Sequence, residues 1–298
     1  MSFSSETKTE LCALPLGETC CVTAECYGML LFCREFTERS IRFVTESEAV
    51  AKRLRELCRT LFSIAPKSAQ AKQKRTSGKY DLVIEGDDAE RIFSFFGHDD
   101  MQVSTRVNGD IVLPQCCRRS FLRGAYLAGG SVTDPNSGYH LELATPYFNL
   151  SNDVAELMDG IGLSPKRTKR GGKNIVYFKS SEEIEDFFNN IGASGSAFQI
   201  MEVKVVKDVR NRANRLSNCD SFNISRSINA GVEQAKLIRK TLDEKGKAHF
   251  PQELRELALL RAENPEVSLR DLGTMLEKPL SKSGVSHKLR RIMEYTDD

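Results

Sequence analysis

The feature that most constrains this chain is an internal repeat across its first two thirds. Repeats are sought first because a missed one misassigns the whole fold. The runs AECYGMLLFCREF (24–36) and FLRGAYLAGGSV (121–132) are both apolar, rich in small residues and helical in pattern, and they align best with Gly28 over Gly124, 96 residues apart. Each is followed by the same succession. A strand-like piece comes first, SIRFV at 40–44 and YHLELA at 139–144, then a helical stretch ending in a turn, FSIAPK up to Lys67 and IGLSPK up to Lys166. A polar basic segment leads into a second strand, YDLVIE at 80–85 and NIVYFK at 174–179. The unit closes with DDAERIFSFFG and SEEIEDFFNNIG, whose acidic first turns suit a helix N-terminus. Further strands are expected around 101–113, where MQVSTRVNGDIVLP holds an Asn-Gly turn signal. The order helix, strand, helix, strand, helix describes a duplicated α+β domain, not a parallel βαβ sheet.

Composition narrows the class. The 298 residues allow two or three domains. Forty-three Lys and Arg against 41 Asp and Glu leave a formal charge of +2, so any basic surface must be local. No apolar run reaches membrane-spanning length, and Glu6 and Glu10 precede any apolar block, so neither a membrane span nor a secretory leader is expected. Nine cysteines, at 12, 20, 21, 26, 33, 58, 116, 117 and 219, form an odd set that suits reduced thiols and a cytoplasmic setting. A zinc site drawn from Cys20, Cys21, Cys26 and Cys33 has no C-x-x-C pair, and His98, His140, His249 and His287 are all remote in sequence. Sequence spacing therefore assigns no metal and no cofactor. Cys26 and Cys33 read instead as small buried hydrophobes, with the adjacent pairs Cys20-Cys21 and Cys116-Cys117 at the edges.

With GAYLAGGSVTD in one copy, YGMLLFCRE in the other and this spacing between them, the repeat resembles the paired motifs of the LAGLIDADG homing endonucleases. The resemblance implies two helices packed side by side through small residues, here Gly28 against Gly124, Ala125 and Ala128, each ending at an acid that holds a metal at the DNA-cleaving centre. The acid positions depart from that pattern: they fall on Cys33 and Gly129. A hard cation needs oxygen ligands. Glu35 and Asp134 lie two and five residues further on, offsets that change which way a side chain points. The expectation is a retained scaffold without catalytic residues.

From residue 214 onward the pattern is different. Residues 214–251 contain Ile228, Val232, Ala235 and Leu237 or Ile238 in the spacing of a connecting helix. After Pro251, Leu254, Leu257, Ala258 and Arg261 mark a short helix stopped by Asn264-Pro265. Ser268 and Asp271 then open a second, with Leu269, Leu272 and Leu276 on one side. In the last helix, from about Lys282 to Tyr295, Val285, Leu289 and Ile292 form a narrow apolar stripe. Ser283, Ser286, His287 and Arg290 fall opposite, flanked by Lys282, Lys288 and Arg291, and no acid occurs from 281 to 293. This is a helix-turn-helix pattern, whose last helix enters the major groove N-terminal residues first. Ser283, Ser286 and His287 are candidates for base edges, and Lys282, Arg290 and Arg291 for phosphates or guanine. Lys288 and Ser268 complete the DNA-contacting set.

Joined to the repeat, LSKSGVSHKLRRI at the end and FLRGAYLAGGSVTDP with GYHLEL in the middle resemble the WhiA family of bacterial sporulation regulators along nearly the whole chain. That resemblance implies a DNA-binding transcriptional regulator connected with cell division, chromosome segregation and, in spore formers, sporulation. It also implies a C-terminal domain similar to sigma-factor region 4, with RNA polymerase or a WhiB-type iron-sulfur protein as co-regulator. The expected division is 1–115 for the first repeat with its N-terminal extension, 116–216 for the second, 217–250 for a helical linker and 251–298 for the helix-turn-helix. Basic runs supply expected phosphate contacts: Lys72, Lys74 and Arg75 with Lys67 and Lys79; Lys166, Arg167, Lys169, Arg170 and Lys173 with Lys179; and Lys204, Lys207, Arg210, Arg212 and Arg215. Two other classes are weighed against this reading. A metal-dependent nuclease lacks its acids, and a docking module for protein, RNA or a small ligand would bind duplex only weakly. No Gly-rich phosphate loop and no Ser-His-Asp signal occurs.

Overall fold

A computed structural model describes residues 2–68, 79–99 and 105–296. The chain runs α1 (Phe3–Cys12), α2 (Thr19–Leu31), β1 (Glu35–Phe36), β2 (Ser40–Thr45), α3 (Glu48–Phe62), β3 (Lys67–Ser68), β4 (Tyr80–Glu85) and α4 (Asp87–Phe95). The second copy repeats this order with α5 (Gln115–Gly129), β5 (Gly130–Val132), β6 (Leu141–Thr145), α6 (Phe148–Asp159), β7 (Lys166–Arg170), β8 (Lys173–Phe178) and α7 (Ser181–Ile191). A 52-residue helix follows, α8 (Ser194–Lys245), and then α9 (Gln252–Glu263), α10 (Leu269–Met275) and α11 (Lys282–Glu294). The chain forms two compact units, 1–207 and 208–298.

The duplication is visible in the sheets. Both are antiparallel and four-stranded, in the equivalent orders β1-β2-β4-β3 and β5-β6-β8-β7. Alternation assigns the faces. Ile41, Phe43, Leu82 and Ile84 of the first sheet and Leu141, Leu143, Val176 and Phe178 of the second are buried beneath helices. The N-terminal turns of the closing helices match their acidic sequences; Ser180 and Glu183 form a reciprocal capping box on α7, and Gly192 ends it at φ 99°.

The first unit has one core shared by both copies. At its centre α2 and α5 cross where Gly28 meets Gly124. A Cβ on Gly28 would overlap the Phe121 carbonyl and stand 2.9 Å from the Ala125 nitrogen; one on Gly124 would overlap the Glu25 carbonyl and stand 2.9 Å from the Met29 nitrogen. Backbone packs on backbone there, which only glycine permits. Close to the crossing, Glu25 is buried and ion-paired. Its carboxylate accepts from Arg53 of α3 (2.7 and 3.1 Å) and from Arg123 of α5 (3.1 Å), and these arginines also donate to the carbonyls of Leu14 and Ile191, each at 2.7 Å.

Several sequence expectations are corrected. The strand expected around 101–113 is absent from its described part, 105–113. Asp153 there accepts from the Val107 N–H at 2.9 Å, and Asn108 caps a 3₁₀ turn, Gly109–Val112, while donating to the Phe96 carbonyl. The Asn-Gly pair is thus a helix cap, not a hairpin. The motif helices begin earlier and stop sooner than their apolar runs: Cys33 lies beyond α2, and Gly130 opens β5. The connecting helix expected over 217–250 is the end of α8, which starts at Ser194. Glu10 of α1 caps that start, accepting from the Gly195 and Ser196 N–H groups at 2.7 and 2.9 Å. Its buried residues in the second unit include Gly231, Ala235 and Ile238, whereas Val232 and Leu237 face outward.

Replacing Gly124 by Val is expected to destabilise the chain by about 3 kcal/mol, because neither backbone can retreat without unpacking the core. Glu25→Ala is expected to cost about 3–5 kcal/mol by stranding two arginines. Denaturant unfolding of each variant, with Lys52→Ala on the surface of α3 as control, checks both.

Candidate nucleic-acid interface

The second unit builds its interface on a small core of Ile238, Phe250, Leu254, Leu257, Leu272, Val285, Leu289 and Ile292. α10 meets α11 through Gly273, where a Cβ would overlap the Leu280 carbonyl and come within 3.1 Å of Val285. The Leu280 N–H donates back to the Gly273 carbonyl at 3.0 Å, closing the tight turn between the two helices. Ser268 caps α10, accepting from the Asp271 N–H at 3.2 Å and donating to its carboxylate at 2.8 Å. Ser281 caps α11 by accepting from the Gly284 N–H at 3.3 Å. Arg261, which shares its side of α9 with Leu254, Leu257 and Ala258, is buried. Its Nη1 donates to the carbonyls of Asn264, Pro265 and Val267, and desolvation lowers its pKa. It ties down the α9–α10 loop.

α11 therefore stands with one side in the core and Lys282, Ser283, His287 and Arg290 exposed, Ser286 partly so. Lys288 and Arg291 are directed elsewhere. Arg291 pairs with Glu253 at 2.8 Å, and Lys288 donates to the Glu253 carbonyl at 3.3 Å, so both fasten α11 to the start of α9. Helical periodicity gives their angle but not this neighbour.

The basic runs separate in the same way. In β7, pairing places Lys166 beside Tyr177 and Arg170 beside Lys173, on the sheet face away from the helices, while Arg167 shares the helix side with Val176 and donates to Asn152 of α6 at 2.8 Å. Lys169 is exposed on that same side. Glu142 accepts from Arg170 and offsets its charge, and Lys179 lies over the Tyr177 ring. Lys204 pairs with Glu182, and Lys207 donates to the Pro135 carbonyl at 2.6 Å above the Tyr139 ring. Arg210, Arg212 and Arg215 are exposed on α8. Lys72, Lys74 and Arg75 lie outside the described residues. On the open face of the first sheet, Arg42 is held by Asp81, and Lys67 shares that face with Glu35 and Glu85. The two open faces thus differ in charge among the described residues: the second is basic and the first is not.

At the motif ends, Gly129 has no room for a carboxylate. A Cβ there would stand 2.6 Å from the Phe32 ring and 3.3 Å from the Ala144 carbonyl. Cys33 donates to the Glu35 carbonyl at 2.8 Å, and burial pushes its pKa up to about 12. Asp134 is folded into a turn, accepting from the N–H and side chain of Asn136. The four cysteines weighed for zinc are not brought together. Cys26 is buried with Cys58, whereas Cys20 and Cys21 meet Cys116 and Cys117, a grouping that sequence reasoning missed.

Comparison with known proteins is specific. Residues 213–296 match the WhiA C-terminal HTH domain, and residues 118–210 match the WhiA LAGLIDADG-like domain. Over its full length the chain is 34% identical to a probable cell division protein WhiA of Ruminiclostridium cellulolyticum, covering 97% of it, and 35% identical to one of Bacillus cereus, covering 96%. The chain belongs to the WhiA family. Its fold resembles the crystal structure of full-length WhiA from Thermatoga maritima with a TM-score of 0.61 at 26% identity, covering 100% of this chain and 98% of that one. Both WhiA parts foreseen in the sequence, the LAGLIDADG-like α+β repeat and the C-terminal helix-turn-helix, are present.

Because Phe32 fills the space, Gly129→Asp is expected to destabilise this WhiA scaffold by about 1–3 kcal/mol. Combined with Cys33→Asp, it is expected to yield no Mg²⁺-dependent cutting. Thermal unfolding and a supercoiled-plasmid nicking assay read the two outcomes.

Proposed function

We propose that this WhiA-family chain is a sequence-specific DNA-binding transcriptional regulator serving cell division. Its role extends to chromosome segregation and, in spore-forming hosts, to sporulation. Its place is the cytoplasm, at the nucleoid, on promoter duplex, with RNA polymerase or a WhiB-type protein as co-regulator. The observation that carries the reading is α11. One side is locked into a core through Val285, Leu289 and Ile292, and the other exposes Lys282, Ser283, His287 and Arg290, with no acid on the helix before its last residue, Glu294. That is the chemistry of a recognition helix, with hydroxyl, imidazole and guanidinium groups for base edges and cations for phosphates. The names of the relatives, cell division proteins, support the biological setting.

The LAGLIDADG-like repeat serves as a scaffold without catalysis, a reading supported by Gly129 packed against Phe32 and by the bonded thiol of Cys33. Exposed Lys166, Lys169 and Lys173 of the second sheet, with Arg210, Arg212 and Arg215 of α8, are the phosphate contacts retained from the basic runs. The proposed domain limits keep the two repeats together up to 207, since one core unites them, and assign 208–298 to α8's second part and the helix-turn-helix.

Two measurements test this. His287→Ala with Arg290→Ala is expected to flatten sequence preference by roughly tenfold or more, while circular dichroism stays unchanged. Unchanged preference places the reading surface elsewhere. In a salt titration, Lys282→Ala is expected to reduce the slope of log affinity against log salt by about 0.9, and Arg291→Ala, held by Glu253, to leave it unaltered.

A further inference from the structure

The duplication brings together four residues that are far apart in the chain. Cys20 and Cys21 are the second and third residues of α2, and Cys116 and Cys117 are the second and third of α5. Each pair is offset by 96 residues, the same offset as Gly28 and Gly124. Helices crossing about a pseudo-two-fold axis at those glycines carry equivalent first turns to the same place, and the four Sγ atoms all lie within 4.8 Å of one another. Cys116 and Cys117 have their sulfurs 3.9 Å apart.

We propose that Cys20, Cys21, Cys116 and Cys117 form a tetrathiolate site for a single zinc-class metal ion that clips the N-terminal ends of the two motif helices together. Distance selects the class. Four sulfurs placed tetrahedrally about zinc at ~2.3 Å stand about 3.8 Å from each other, so the observed spacing needs only a small contraction. A cube of several irons between the thiolates requires a wider frame. Softness agrees, since thiolates select zinc, cobalt or similar ions over magnesium or calcium.

The surroundings suit a site carrying excess negative charge. Binding Zn²⁺ by four thiols releases four protons to water and leaves a net charge of −2 on the metal and its sulfurs. Both helix N-termini point their partial positive charge at it, the first turns themselves hold no acid, with Glu18 at the N-cap of α2, and neither helix has a side-chain cap competing for that end. Ser120, one turn along α5 from Cys116 and Cys117, is buried. Cys20 and Cys116 are exposed while Cys117 is buried, so an ion enters from solvent and seats against the core.

The test is a cobalt titration of the full chain, fully reduced and stripped of metal under anaerobic conditions. The expected result is a visible ligand-field spectrum of tetrahedral sulfur coordination, saturating at one equivalent of Co²⁺ and bleached by Zn²⁺. Zinc should also shield the exposed thiols of Cys20 and Cys116 from a thiol-specific reagent and raise the unfolding temperature. Cys20→Ser with Cys117→Ser should lose the spectrum, and Cys219→Ser, on α8, should keep it. Absence of the spectrum in the reduced wild-type chain overturns the proposal, whatever the variants do. Its survival in the Cys20/Cys117 variant overturns the assignment to these residues. Formation of cross-helix disulfides on exposure to air, in a chain that takes up no metal beforehand, overturns it in favour of a redox pair.

Discussion

The first unit depends on two backbones touching. At the Gly28–Gly124 crossing a side chain on either residue would occupy the carbonyl of the opposing helix, so the pair α2/α5 exists only with glycine at both positions. From that contact follow the adjacency of the two repeats, their common core and the near-equivalence of their sheets. Glu25 reinforces the joint electrostatically by gathering Arg53 and Arg123 from two different helices. A buried carboxylate with two arginine partners is costly to desolvate and costlier to leave unpaired, so it opposes any alternative pairing of the helices.

Much of this was legible in the sequence because the repeat is written in residues whose roles are local. Alternation in YDLVIE and NIVYFK, acidic first turns before Phe-rich faces, and glycines at equal offsets each point to one conformation. Their agreement across two copies excludes coincidence. Features set by partners distant in sequence were not legible. β1 and β3 have only two residues each, too short for a periodic signal. Asn108-Gly109 carried a turn signature, but tertiary bonds to Phe96 and Asp153 nearby made it a cap. The four cysteines have no metal-ligand spacing along the chain, and only the two-fold relation between copies makes their equal offset informative.

The candidate recognition surface shows the same division. Helical periodicity placed Val285, Leu289 and Ile292 inside and His287 and Arg290 outside, because angle about an axis is a property of sequence. It did not show that Glu253 holds Lys288 and Arg291, nor that Arg261 is buried to satisfy three loop carbonyls. Basic residues counted along the chain therefore overstated the cations available to a polyanion. Lys204, Lys207 and Arg170 are engaged by neighbours, and the basic character that remains is concentrated on α11, the exposed turns of α8 and the second sheet.

The proposed division of labour, a LAGLIDADG-like scaffold that positions and a helix-turn-helix that reads DNA, makes a direct demand on experiment. The purified full-length chain is incubated with a pool of random-sequence duplexes in the presence of Mg²⁺, and the retained DNA is sequenced together with its ends. Enrichment of a discrete motif on intact duplexes is the outcome this account predicts. Cut ends, or retention without any motif, would contradict it.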